Sequence, residues 1–206
     1  MPIHQKKKEV NNAQKHSNWL TNQYSNVKKE QIDLTDLFET FKKTTPSKFH
    51  SQLNLANTRA RIRMTTLYHI AGSKNGLVVG TGNKVEDFGI GFFTKYGDGG
   101  VDISPLADLM KSEVFKLSAE LDINQEILKA KPTDGLWDDD RSDEDQIGAN
   151  YDDIEKVMKK IEDGENPENF DIELKKVFDI YTRHHNANKH KMVEIPICFI
   201  PNDLKL

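Results

Sequence analysis

One cysteine, Cys198, is all that the 206 residues contain. An internal disulfide is therefore excluded, and no group of Cys and His residues has zinc spacing. Long apolar runs are missing as well: none approaches the roughly 18 residues of a membrane-spanning helix. The opening MPIHQKKKEV is basic but has no hydrophobic segment behind it, so it does not read as a secretory signal. Nor is there a large excess of charge of one sign. With 29 basic and 33 acidic residues the formal net charge is -4, which gives no electrostatic reason to coat nucleic acid or an anionic membrane. Internal repeats and low-complexity tracts are absent too. These absences point to a cytoplasmic protein with neither nucleic acid nor membrane as partner. What remains, 36% apolar and 30% charged residues, suits one sizeable domain with a real core.

Hydrophobic spacing then marks the elements. Val10, Ala13, Trp19 and Leu20 give a modest helix signal over residues 9–24. The stretch QIDLTDLFETFKK reads as a short strand, 31–34, followed by a helix capped by Thr35 or Asp36. Residues 51–71 are the clearest helix, because Leu53, Ala56, Ala60, Met64, Leu67 and Ala71 recur in steps of three and four. Gly72 ends it. Residues 77–79 form a short buried-strand candidate running into Gly80-Thr81-Gly82. Further helices are expected over 111–121, around Tyr151, Ile154, Val157, Met158 and Ile161, and around Phe170, Leu174, Val177, Phe178 and Tyr181. Strands alternating with helices predict an α/β fold with a parallel sheet, although only two or three strands are visible.

Residues able to carry chemistry concentrate in the middle of the chain. Arg59, Arg61 and Arg63 lie two apart, so at 100° per residue they flank the apolar stripe on both sides, with Asn57 one turn before Arg61. Two basic flanks suit two anion sites, or equally the snorkelling arginines of a surface helix. Gly80-Thr81-Gly82 after a strand suits a phosphate or base, but it is neither a Walker loop nor a dinucleotide fingerprint. Glu86 and Asp87 are oxygen donors for Mg²⁺ or simply first-turn acids of a helix. Phe92 and Phe93 offer a ring to a flat heterocycle or to the core. Lys95, Asp98 and Asp102 surround YGDGG, whose glycines allow close backbone approach. The acidic run 138–145 lacks the pattern of an EF-hand and reads as a solvated loop or a lid preceded by Thr133 and Trp137. In HHNANKHKM, His184, His185 and the basic residues 189–191 form a basic clamp or a polar helix end.

Taken together, NTRARIRM, GTGNKVED, GFFTKYGDGGVDISPLADLMK, KPTDGLWDDDRSDEDQIG and HKMVEIP resemble the ammonia-dependent NAD⁺ synthetase family, in family order and across nearly the whole chain. The resemblance implies an adenine nucleotide alpha-hydrolase-like (ATP pyrophosphatase, Rossmann-like) fold, a parallel sheet flanked by helices. It implies amidation of deamido-NAD⁺: ATP adenylates the nicotinate carboxylate and releases pyrophosphate, then ammonia attacks the acyl-adenylate to give NAD⁺ and AMP. It puts Arg63, Thr81, Lys111 and Thr133 at positions that contact ATP. Asn57, Arg61, Lys95, Asp102, His190 and Lys191 fall where the family holds deamido-NAD⁺, and Asp98 falls near the reacting centre. Counting forward from Thr81 makes Glu86 the Mg²⁺ ligand. Counting back from the glycine before Phe92 selects Asp87 instead, because one extra residue lies between; Glu86 is the preferred choice. Free ammonia as nitrogen source and a homodimer are also implied.

The sequence departs from the family in one respect. The family binds ATP phosphates with a Ser-Gly-Gly-x-Asp-Ser loop after its first strand, and the 206 residues hold no such sequence. MPIHQ resembles the end of the family's second strand. The expectation is a single domain over 1–206, N-terminally incomplete by a strand–helix–strand unit of about 30 residues or more. Beside the enzyme stand two other readings. One is a non-catalytic remnant or split subunit that binds dinucleotide and dimerises but needs a partner for ATP chemistry. The other is an ATP pyrophosphatase of the same fold acting on a different substrate.

Overall fold

The computed structural model describes residues 1–133, 135 and 141–205. Eight α-helices carry most of them: α1 (Lys7–Gln23), α2 (Thr35–Thr44), α3 (Gln52–Ser73), α4 (Lys111–Glu120), α5 (Gln125–Leu128), α6 (Asp143–Ile147), α7 (Tyr151–Glu162) and α8 (Ile172–Met192). Their starts follow from local polar groups that satisfy free amides. The Ser51 hydroxyl accepts from the Asn54 amide at 3.1 Å before α3. Asn150 accepts from Asp153 at 2.8 Å before α7, and Asp171 from Leu174 at 2.8 Å before α8. Helix α2 differs from expectation. Thr35 is its first helical residue, and the Asp33 carboxylate accepts the Thr35 amide at 2.9 Å.

Two hydrophobic cores organise the chain. The larger joins Val85, Ile90, Ile147, Tyr151, Ile154 and Met158, with Val177, Ile180 and Tyr181 of α8 packed against it. Helix α7 enters it because Ile154, Val157 and Met158 share one face, while Asp152 and Asp153 in its first turn and Lys159 and Lys160 in its last complement the helix dipole. The smaller core joins Ile3, Leu34 and Phe38, with Leu55 and Ile62 of α3 against it.

The expected sheet is reduced to one contact. Among the described residues no extended strand forms, and Val79 makes a single parallel bridge with Ile103. Gly80 donates to the Ile103 carbonyl at 2.7 Å, and Ile103 donates to the Val78 carbonyl at 3.4 Å. The ladder stops there because a side chain takes the next donor: the Val78 amide bonds to Asp102 Oδ2 at 2.8 Å. Residues 31–34 form no strand either; their tie to the N-terminal segment is the Leu34 amide on the Pro2 carbonyl at 3.0 Å.

Candidate functional site

After Gly80-Thr81-Gly82 the backbone winds into a wide, π-type helical segment, Lys84–Ile90. A wider turn holds one more residue than an α-turn. Buried Asn83 starts it, its Oδ1 accepting from the Val85 and Glu86 amides at 3.0 and 3.1 Å. The same side chain donates to Glu86 Oε2. Glu86 Oε1 accepts from Lys111 Nζ at 2.8 Å and from the Tyr151 hydroxyl at 2.6 Å. Burial and the Glu86 charge push the Tyr151 hydroxyl far above its ordinary value, so it stays a donor. Both Glu86 oxygens are thus engaged.

Asp87 is different. Its carboxylate has no hydrogen-bond or ion-pair partner among the described residues. Burial, and then the charges of Glu86 and Asp98, push it up to about 6. It lies over the Gly82 backbone, where an added Cβ would meet Asp87 Oδ2 at 1.8 Å.

Helix α8 closes the far end of the wide segment. His185 Nδ1 lies 2.7 Å from the Gly89 carbonyl, Asn188 Nδ2 donates to Ile90 at 2.9 Å, and Lys191 Nζ donates to Gly91 at 2.9 Å and Phe93 at 2.8 Å. Positions 185, 188 and 191 are three apart and share one helix face. Together they bond carbonyls that an ending helix leaves free. Lys191 also sits 5.3 Å over the Phe93 ring. Its burial holds the ammonium below the usual lysine range, partly offset by Asp98.

These elements wall a cavity of about 730 Å³. Asn57, Arg63, Thr81, Asp98 and Lys191, drawn from four separate stretches of sequence, all line it, together with Phe93, Thr94 and Asn188. Asn57 accepts from the Thr94 hydroxyl at 2.7 Å. Asp98 is reachable by solvent yet enclosed by the cavity walls. That enclosure raises its carboxyl, against the Thr94 amide at 3.0 Å and the Lys191 charge.

Arg63 has further ties, and the other sequence-derived candidates lie elsewhere. Arg63 donates to the Met1 carbonyl at 2.9 Å and to Gln5 Oε1 at 2.7 Å. It also lines a second cavity, about 410 Å³, with Thr133, Gln5 and Glu9. Arg61 donates to the Lys95 carbonyl at 3.3 Å, and Lys95 Nζ to the His190 carbonyl at 2.6 Å; these three form an outer chain that does not line the cavity. Asp102 is held by Val78 and by the Tyr68 hydroxyl at 3.0 Å. Phe92 packs against the larger core and also lines the cavity. In the acidic run, Ser142 and Asp145 form a capping box for α6. Trp137 and Asp138 to Asp140, read as part of a lid, lie outside the described residues. Residues that sequence reasoning passed over are Asn83, Tyr151, Asn188 and Gln5. Tyr151 had counted only as an apolar position of α7, whereas the 185/188/191 spacing within HHNANKHKM was a usable signal for Asn188.

The arrangement provides cations, a flat ring and the Asp98 carboxylate around one concave space, with no serine, cysteine or histidine among the described residues that line it. It suits holding an anionic, partly aromatic ligand while another reagent supplies the activation. The sequence profile of the NAD synthase family matches residues 1–194. The NH(3)-dependent NAD(+) synthetase of Methanococcoides burtonii is 37% identical over 179 residues, which are 84% of this chain and 66% of that protein. The NH(3)-dependent NAD(+) synthetase of Archaeoglobus fulgidus is 39% identical over 166 residues, 81% of this chain and 63% of that one. The chain therefore spans about two thirds of the length of these relatives. Among solved structures, the NMN synthetase of Francisella tularensis superposes with a TM-score of 0.78 at 31% identity, covering 96% of this chain and 74% of that one. With a profile match over nearly its full length and relatives well above 30% identity, the chain belongs to the NAD synthase family.

Proposed function

We propose that this chain takes part in the ATP-dependent amidation of deamido-NAD⁺ to NAD⁺ with ammonia. The supporting observation is the convergence of Asn57, Arg63, Thr81, Asp98 and Lys191 on one cavity. In this reading a nicotinate oxygen attacks the α-phosphorus of ATP and pyrophosphate leaves. Ammonia then attacks the acyl carbon and AMP leaves. Asn57 and Lys191 hold the acid nucleotide from inside the cavity. Arg61, Lys95 and His190 extend that grip along the outer surface, and Asp102, held by the Val78 amide and the Tyr68 hydroxyl, shapes the backbone beside it. Arg63, Thr81, Lys111 and Thr133 face ATP, and Asp98 faces the reacting centre. The protein's task is to neutralise phosphate charge, hold two nucleotides in line and exclude water.

Mg²⁺ supplies charge neutralisation between phosphates when it is bound. Asp87 is the open oxygen donor for it, since its carboxylate has no partner among the described residues. Glu86 is tied to Lys111 at 2.8 Å. It becomes a second donor when Lys111 turns from Glu86 to a phosphate. The homodimer and the cytoplasmic setting belong to the same proposal. No helix among the described residues is long and apolar enough to cross a membrane.

A second substrate reading rests on the Francisella tularensis neighbour, an NMN synthetase covering 96% of this chain. In this reading the acid is nicotinate mononucleotide, the carboxylate counterpart of NMN. One experiment separates the readings. The purified chain is incubated with ATP, Mg²⁺, ammonium and either acid, and the amide product is resolved by chromatography. NAD⁺ from deamido-NAD⁺ supports the first reading and NMN from the mononucleotide the second. A folded chain that binds the acid but yields neither amide supports the remnant or split-subunit reading.

A further inference from the structure

The Glu86 carboxylate is held from three parts of the chain. Asn83 donates to Oε2, while Oε1 accepts both Lys111 Nζ at 2.8 Å and the Tyr151 hydroxyl at 2.6 Å. Lys111 Nζ also lies 5.2 Å over the Tyr151 ring, so one aromatic side chain meets both members of the ion pair. Helix α7 supports the pair a second time. Glu155, four residues after Tyr151 and on the same helix face, accepts the Ser112 amide at 2.8 Å and the Ser112 hydroxyl at 2.7 Å. The backbone next to Lys111 is thereby fixed, which leaves any movement of the lysine to its side chain.

The two donors on Oε1 are not equivalent. Lysine carries its ammonium on a flexible stem that can turn to another anion. Tyr151 is buried in the larger core and stays where it is. Taking the last donor from a buried carboxylate oxygen is costly, because nothing replaces the water that burial removed. While the Tyr151 hydroxyl remains on Oε1, Lys111 can leave without that cost. Without the hydroxyl, Lys111 is the sole donor to Oε1 and its departure orphans the oxygen.

We propose that Tyr151 is a positioning residue that keeps Glu86 in place and leaves Lys111 free to exchange this carboxylate for an incoming anion. In the function proposed above, on which this rests, that anion is a phosphate of ATP. The hydroxyl holds the carboxylate that stays, and the ring face lies beneath the ammonium that moves. Tyr151 acts through these two side chains and lines neither cavity.

The test reads Lys111 directly. The folded full chain is trace-acetylated with acetic anhydride, and the Lys111 peptide is quantified by mass spectrometry against the unfolded chain. Tyr151→Phe is expected to slow acetylation of Lys111 about threefold or more, because the lysine is then the sole donor to Oε1. A hydroxyl that served packing alone would loosen the site on removal and speed the reaction. An equal or faster rate therefore overturns the proposal. Affinities for Mg²⁺-ATP and for deamido-NAD⁺ are measured by calorimetry on the same two proteins. The variant is expected to bind ATP about tenfold more weakly and deamido-NAD⁺ as wild type does. Equal weakening of both overturns the positioning role. A wild type that binds no ATP, beside slowed acetylation in the variant, counts against the function and supports the hold of Tyr151 on the pair. If Tyr151→Phe does not fold, wild type decides, with inorganic tripolyphosphate as the anion. Faster acetylation of Lys111, with the Tyr151 Cζ resonance of carbon-13-labelled chain kept at its hydrogen-bonded position, is then the expected result. Tripolyphosphate that changes neither signal, or releases both side chains together, overturns the proposal.

Discussion

The Tyr151 hydroxyl donates to Glu86 across 65 residues of sequence at 2.6 Å, and Lys111 meets the same carboxylate oxygen at 2.8 Å. Tyr151 is 6% exposed, so the bond forms away from bulk water. Changing Tyr151→Phe removes one donor to a carboxylate whose side chain is only 15% exposed. A loss of about 1.5–3 kcal/mol is expected, the range for hydrogen bonds to charged groups. Urea unfolding measures it. A double-mutant cycle with Glu86→Gln is expected to show strong coupling, and additive losses would mean that the pair does not interact.

What sequence could and could not reveal divides along physical lines. Helices α3 and α7 were legible because a buried apolar stripe has a period. Helix α8 was legible only as far as Tyr181, although it runs to Met192, because its second half turns His184, His185, Asn188 and Lys191 inward onto carbonyls. Polar residues packed against backbone leave no hydrophobic period. The sheet misled for the opposite reason: residues 77–79 have a strand's composition, but strand formation depends on neighbours that composition does not contain. Among the site candidates, residue type alone could not separate Lys191, which enters the cavity, from His190, one residue earlier and outside it.

Gly91 is expected to tolerate substitution less well than Gly148. Both have positive φ, +65° and +87°, so alanine at either is strained by about 1–2 kcal/mol. A Cβ at Gly148 meets open space, whereas at Gly91 it comes within 2.4 Å of the Asn188 Cβ. Gly91→Ala must therefore also push α8 away from the wide segment. Thermal unfolding of the two variants is predicted to place Gly91→Ala clearly lower. Equal melting points would mean that α8 yields at no cost.

Lys191→Met keeps the length of the side chain and removes its charge and donors. Deamido-NAD⁺ binding, followed by calorimetry, is expected to weaken about tenfold, the loss of one charge-assisted hydrogen bond. The substitution also has a pH signature. The folded chain holds Lys191 below its ordinary pKa, so it releases this proton before the unfolded chain does. Stability from this group therefore rises with pH up to about 10.5, the unfolded value. The advantage of wild type over Lys191→Met is predicted to widen as pH climbs towards that limit. A gap that narrows would contradict the direction of the shift.

Asp102 is expected to behave as a structural residue first. Its two oxygens are taken by the Val78 amide and the Tyr68 hydroxyl, and it does not line the cavity. Asp102→Ala should lower stability by about 1 kcal/mol or more. It should leave deamido-NAD⁺ affinity close to wild type in protein that remains folded. A tenfold loss of affinity at unchanged stability would restore the direct ligand contact implied by the family resemblance.

The adjacent acids Glu86 and Asp87 can be separated with Mn²⁺ as a spectroscopic stand-in for Mg²⁺. Without nucleotide, Glu86 is held by Lys111, Tyr151 and Asn83, and a cation must break an ion pair to reach it. Asp87 offers its oxygens at no such cost. Asp87→Asn is therefore predicted to bind Mn²⁺ much more weakly than wild type in the free chain, as paramagnetic resonance would read it, while Glu86→Gln binds as wild type does. In the proposed reading ATP draws Lys111 towards phosphate and frees Glu86, so Glu86→Gln should then weaken Mn²⁺ as well. If Glu86→Gln alone abolishes binding in the free chain, Lys111 does not guard the carboxylate, and Glu86 acts as the metal ligand without help from nucleotide.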